Sequence, residues 1–166
     1  ALQSCSAHLR TCGGHAAAAG LTIEPANIDA FRAAFVEAAA GRIAVADRVA
    51  ELLIDGEAPL SAFTLKVAEQ IEQLAPFGCS NTRPLLCTSG VTLVEPPKTI
   101  GSGGRHLSMR LRQHDVTLRA IAFGGGERLE ELTATDRPLD VAFRPVINTF
   151  NGRRSVELHL VDWRRG

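Results

Sequence analysis

Two glycines and a histidine stand together at Gly13-Gly14-His15, inside the stretch CGGHAAAAG that runs from Cys12 to Gly20. Adjacent glycines let a backbone turn its N–H groups toward an anion, and a neighbouring histidine can donate a charge-assisted hydrogen bond to phosphate. The same residues suit a plainer role, in which Gly13 closes a helix as a left-handed cap and His15 is incidental. Spacing alone leaves both readings open.

Other residue sets were weighed for chemistry. Cys5, His8, Cys12 and His15 read Cys-x-x-His followed by Cys-x-x-His, a spacing that resembles zinc ligation. All four would lie on or just beyond one short helix, which wraps a tetrahedral ion poorly. Cys5 and Cys12 are better accounted for as small apolar residues on the Leu2/Leu9 face, so no metal is expected in this chain. A basic set is more promising. Arg105, His106, Arg110, Arg112 and Arg119 fall on neighbouring strand-like segments. Arg144, Arg153 and Arg154 form a second cluster around Phe150 and Asn151. A cationic groove with an aromatic platform is what single-stranded nucleic acid requires, because every base has a stackable face. A solvated barrel exterior would read the same way, since arginine is mostly exposed. Carboxylates are scattered, no nucleophile stands beside a base, and no complete active site is expected.

These residues need elements to position them. Leu2, Cys5, Leu9 and Cys12 follow i, i+3, i+7, i+10 and predict a helix ending at Gly13. Ala16–Ile23 reads as a small-residue strand. A second helix opens at Pro25 and Asn27, presents Ile28, Phe31, Ala34, Phe35 and Ala38, and closes at Gly41. Val49–Ile54 reads as a strand, and Ser61 as the cap of a helix through Leu74. Pro76–Pro84 is a Pro/Gly/Asn-rich loop. Beyond it the helical period gives way to alternation: Leu85–Val94, Leu107–Leu111, Val116–Phe123, Leu139–Ile147 and Ser155–Trp163 predict strands. A short helix at Glu127–Leu132 separates the third from the fourth, and Asn151-Gly152 signals a hairpin between the last two. The expected fold class is α/β for the N-terminal part, followed by an all-β, five-stranded OB-fold barrel.

Composition sets bounds. The 166 residues carry 18 basic and 18 acidic side chains, which argues against a generally basic nucleic-acid coat but not against a local basic face. Arginine is concentrated in the second half, while acids outnumber bases between Glu24 and Glu72. No stretch reaches the ~20 apolar residues of a membrane span, so no membrane partner is expected. Four cysteines are too few for a disulfide scaffold, and free thiols in a reducing cytoplasm are expected. The chain begins Ala-Leu-Gln within a helix-like segment, as a piece of a longer protein would.

Taken together, several stretches resemble a known family. CGGHAAAAG is similar to the Gly-Gly-His-x-x-Ala-Ala-Gly motif of the DHH-associated domain in DHH-family phosphoesterases. LAPFGCSNTRPLL is similar to a Leu-x-Pro-Phe-Gly-x-Gly-Asn-Pro-x-Pro segment of the RecJ exonucleases within that family, with Ser80 and Thr82 replacing the usual Gly and Pro. AIAFGGGE and VAFRPVINTFNGRRSVELHLVDW resemble the OB domain that follows it, and His106-Leu107 matches the approach to that domain. The resemblance implies residues 1–45 as the C-terminal half of a DHH-associated domain, 46–83 as a connecting strand, helix and loop, and 84–166 as an OB-fold nucleic-acid-binding domain. It implies a cytoplasmic parent enzyme of DNA repair and recombination that degrades single-stranded DNA from the 5′ end, using metal-activated water. The metal, Mn2+ or Mg2+, would sit in an N-terminal DHH domain absent from this sequence, with no cofactor bound by this chain and no activity from it alone. Gly13, Gly14 and His15 would then hold phosphate. Single-stranded DNA is the expected partner, and a single-strand-binding protein a second. Two rival readings are a non-enzymatic OB adaptor for a protein partner and a DHH phosphodiesterase acting on short oligonucleotides.

Overall fold

The computed structural model describes every residue except 16–17, 45–46, 48–49 and 134–136. Internal packing divides the chain into two compact units, Ala1–Leu52 and Leu53–Gly166.

In the first unit a 3-10 helix, Leu2–His8, buries Cys5. Strand β1 (Thr11–His15) follows and pairs antiparallel with β2 (Ala18–Thr22). This corrects the predicted helix through Cys12. Leu9 is already extended, and Gly13 is not a cap but a mid-strand residue opposite Gly20. Two adjacent glycines are poor helix formers, Thr11 favours extended backbone, and the small residues of β2 accept a close partner. Of the predicted strand Ala16–Ile23, Ala16 and Ala17 lie outside the described residues. The second helix is found where predicted: α1 (Ile28–Ala40) follows a 3-10 turn at Pro25–Asn27 and stops at Gly41. Phe31, Ala34, Phe35 and Ala38 form its half-buried stripe, with the two phenyl rings 5.6 Å apart, while Ile28 is exposed.

The second unit opens later than the sequence predicts. Val49 lies outside the described residues, and residues 50–54 have no regular structure. The strand is instead β3 (Gly56–Glu57), parallel to β4 (Leu86–Leu93). It is held there by Asp55, whose N–H donates to the Leu85 carbonyl and whose Oδ2 accepts from the Leu85 N–H, each at 2.8 Å. Helix α2 (Leu65–Glu72) is capped by Thr64, whose Oγ1 accepts from the Val67 N–H at 3.3 Å. Ser61, the predicted cap, sits in a preceding 3-10 turn, Leu60–Ala62.

The remaining elements are β5 (Lys98–Ile100), β6 (His106–Gln113), β7 (Val116–Ala122), a 3-10 turn at Gly125–Arg128, α3 (Leu129–Thr133), β8 (Leu139–Phe150) and β9 (Arg153–Arg165). Where five barrel strands were expected, the structure has one mixed sheet of seven, in the order β3-β4-β8-β9-β7-β6-β5, with β4 also pairing β6. The five predicted strands all recur as β4, β6, β7, β8 and β9. The additions, β3 and β5, have two and three residues, too few for period-2 alternation to register. Asn151 and Gly152 both take positive φ, 49° and 74°, as a two-residue hairpin turn between β8 and β9 demands.

The core lies on one face of this sheet. Phe143, Val91, Leu107, Leu111, Ala120 and Leu158 are fully buried, and Phe63 meets Phe143 edge-on with centroids 4.9 Å apart. The Pro76–Pro84 loop is braced by polar contacts. Arg83 forms a two-pronged pair with Glu72, at 2.6 and 3.0 Å, and lies over the Phe77 ring. Asn81 Nδ2 donates to the carbonyls of Leu74 and Pro76.

Two outcomes follow from this packing. Phe143→Ala removes the buried ring from a site that closes poorly around the gap, and should lower the unfolding free energy of the second unit by about 3–5 kcal/mol in urea denaturation. Arg83 hydrogen-bonds the Glu72 carboxyl and holds it below the ordinary glutamate value. A pKa lowered on folding stabilises above the unfolded value, and that contribution disappears as pH falls through the folded one. Glu72→Gln should therefore melt below the parent at neutral pH, with the difference shrinking as pH drops past the glutamate range.

Candidate nucleic-acid interface

The Gly-Gly-His segment belongs to the first unit. Gly14 has φ of +145°, and a Cβ there would stand 2.4 Å from the Ala18 carbonyl oxygen and 2.5 Å from Ala19 Cα. No side chain fits at this position. At Gly13 the same construction meets nothing within 4 Å, so a side chain has room there. Cys12, Gly13, Gly14, His15, Ala19 and Phe35 line a cavity of about 530 Å³ together with the first three residues of the chain. Both glycines and His15 therefore sit side by side in the lining of this cavity. The zinc-like spacing does not become a site: Cys5 is buried and Cys12 exposed, and among the described residues no three of His, Cys, Asp or Glu converge on one point.

The basic residues belong to the second unit, and the pleat of the sheet sorts them. On β6, Leu107, Met109 and Leu111 point into the core, leaving His106, Ser108, Arg110 and Arg112 on the opposite face. On β7 that face carries Thr117, Arg119 and Ile121, and Phe123 follows just beyond the strand. On β9 it carries Arg153, Ser155, Glu157 and His159, because Val156, Leu158 and Leu160 are buried. On β8 it carries Arg144, Val146, Asn148 and Phe150. Register then sets neighbours across strands: Arg110 opposite Arg119, Arg119 beside Glu157, Arg144 opposite His159, and Phe150 opposite Arg153.

Most of the predicted binding residues thus share one surface. Arg110, Arg112, Arg119, Arg144, Arg153, His106 and Phe150 lie on it, and Phe150 is 70% exposed. Arg105 precedes β6, exposed, with its carbonyl accepting the Gly126 N–H. Asn151 serves the hairpin turn. Arg154 is not brought to this face. It points to the α2 side and pairs with Glu69 at 2.8 Å.

Two arginines facing each other across strands repel. The relief comes from Glu157, a residue that sequence reasoning passed over. Only 5% exposed, it accepts from Asn148 Nδ2 at 3.1 Å, pairs with Arg119 at 3.3 Å and meets His159 Nε2 at 3.2 Å. Among the described residues, Arg110, Arg112, Arg144 and Arg153 have no carboxylate partner, so the face stays cationic at neutral pH. Phe123 and His159 were also missed. The alternation Val156-Glu157-Leu158-His159-Leu160 already puts both polar residues on one face, which is the signal that could have found them. Cys87 offers no alternative chemistry, since burial pushes its thiol up, reinforced by the Glu57 and Asp140 carboxylates.

Comparison with known proteins adds a relationship to this geometry. Residues 54–162 match the protein family described as the RecJ OB domain. The chain is 34% identical over 154 residues to the single-stranded-DNA-specific exonuclease RecJ of Haemophilus influenzae, covering 91% of this chain and 26% of the relative. It is 32% identical over 165 residues to the same-named protein of Thermus thermophilus, covering 99% and 22%. The crystal structure of the Thermus protein in complex with Mn2+ superposes with a TM-score of 0.67 at 31% identity, over 99% of this chain and 23% of that one. Its complex with Mg2+ gives 0.66 at 30% identity. The chain spans about a quarter of the length of these relatives.

The two glycines separate structure from binding. Gly14→Ala should destabilise the first unit by roughly 2 kcal/mol or more in thermal unfolding followed by circular dichroism, through forced backbone strain and the clash with β2. Gly13→Ala should leave the melting curve within experimental scatter of the parent.

Proposed function

Because this chain belongs to the RecJ OB-domain family, we propose that it is the substrate-gripping C-terminal region of a single-stranded-DNA exonuclease acting 5′ to 3′ in DNA repair and recombination. The observation that carries this reading is the outer sheet face of the second unit, where Arg110, Arg112, Arg144 and Arg153 stand without carboxylate partners beside exposed phenyl rings. Guanidinium groups take phosphates and release counterions, and rings accept bases of any sequence. Neither needs a base-paired partner strand, and the rings favour a strand whose bases are free to splay.

The OB-barrel reading is supported by the pairing cycle β4–β6–β7–β9–β8–β4, which returns to its starting strand, and by α3 between β7 and β8. On this reading β3 and β5 are additions to a five-stranded barrel. The OB module takes in the second unit, whose family match begins at residue 54, and residues 1–45 are the closing half of a DHH-associated domain. There Gly13, Gly14 and His15, side by side in the cavity lining, are suited to hold a phosphate.

Hydrolysis is assigned to a DHH domain outside this sequence. The Thermus relative was solved with Mn2+ and with Mg2+. The described residues of this chain do not fit such an ion, since no three ligands converge, and no catalytic step is derived from them. The chain's part is to bind, orient and feed the strand in the cytoplasm.

Fluorescence anisotropy with a labelled oligothymidine tests the reading. The chain should bind it in preference to duplex of equal length, with affinity falling as salt rises. The double variant Arg110→Glu/Arg112→Glu should bind at least about tenfold more weakly and lower the salt slope by about two, one for each lost phosphate contact. Equal affinity for duplex, or an unchanged double variant, would overturn it.

A further inference from the structure

The aromatic residue best placed on the cationic face is Phe123. It follows β7 and is 58% exposed, an apolar ring left in water at the end of a sheet whose other apolar residues are mostly covered. It is also held. The His106 ring lies 5.3 Å from it at 68°, and the His159 ring 4.8 Å from it at 77°.

Both imidazoles are fixed in turn. His106 Nδ1 accepts the Gly124 N–H at 2.9 Å, so its proton is on Nε2. Gly101 closes the other side: at φ of +80° it has no Cβ, and one placed there would stand 2.9 Å from His106 Cδ2. His159 Nε2 lies 3.2 Å from Glu157 Oε1, and a carboxylate only accepts, so this nitrogen is the donor of the pair and the ring is tethered through it. The three rings are therefore ordered before any ligand arrives. Arg144 stands opposite His159 in the β8–β9 register and brings a guanidinium to this end of the face.

We propose that His106, Phe123 and His159 form a nucleobase subsite, which takes one unstacked base of the single strand while Arg144 holds an adjoining phosphate. The proposal rests on the single-strand reading above and adds to it which rings receive a base and which arginine holds the phosphate next to it. Pre-ordered rings lose little freedom on binding, and stacking on them adds affinity that salt does not screen.

Two oligonucleotides of equal length and charge separate base from phosphate: oligothymidine, and the same backbone carrying abasic tetrahydrofuran residues. The chain should bind oligothymidine at least about fivefold more tightly, as expected for one stacked base. Phe123→Ala and Phe123→Leu should bring the two affinities together without changing the salt slope. Phe123→Trp, which keeps a ring on the same face, should preserve the difference. The leucine and tryptophan variants keep the apolar bulk, so a folding defect in the alanine variant would not blur the result. Equal binding of the two oligonucleotides by the parent chain, or a base preference that survives Phe123→Leu, would overturn the subsite and leave the arginine face standing. Salt-dependent binding of neither oligonucleotide would instead bring down the single-strand reading, and the subsite with it.

Discussion

The burial of Phe143, Leu158, Leu111 and Val91 against one side of the second unit's sheet is the interaction on which its other features depend. Once those side chains point inward, the pleat sends their neighbours outward with no further choice. A slip of one residue along β6 would turn Arg110 and Arg112 inward and push Leu107, Met109 and Leu111 out of the core. Side-chain packing thereby builds the cationic surface indirectly. The arginines form a patch because the leucines and valines between them have to be covered.

Such a surface carries an electrostatic strain of its own. Arg110 opposes Arg119, and Arg112 is two residues along the same strand. Glu157 eases this from within the sheet, pairing with Arg119 and taking hydrogen bonds from Asn148 and His159. A carboxylate this buried is costly unless its partners stay in place, so it also fixes them. Arg119 is thereby given a structural duty, while Arg110, Arg112, Arg144 and Arg153 remain available to a polyanion. Arg154 is withdrawn by its pairing with Glu69. One type of residue takes three roles on one sheet, decided by what stands opposite each copy.

The Gly-Gly-His segment shows a local pattern overruled by pairing. Apolar spacing from Leu2 to Cys12 suits a helix, yet the chain becomes a strand at Thr11 because β2 offers a small-residue partner. Gly14 is required there for a reason no cap would supply, the closeness of Ala18 and Ala19. The neighbouring alanines matter for the same reason. Their small side chains let β1 and β2 lie close enough that only glycine fits at position 14, while position 13 has room for a side chain.

Periodicity by itself determined the five long strands, α1 with its Phe31/Phe35 stripe, the Asn151-Gly152 turn, and the common face of Arg110 and Arg112. Alternation and helical spacing are local properties, readable wherever a segment runs for five residues or more. The quoted motifs likewise point to the RecJ family with no geometry needed. Tertiary structure alone decided the rest: the two short added strands, the change of Gly13 from cap to strand, the burial of Glu157, the withdrawal of Arg154, and the meeting of His106, Phe123 and His159. Each depends on residues far apart in the chain arriving side by side. A single sequence records which side of a strand a residue takes, but not which strand will lie next to it.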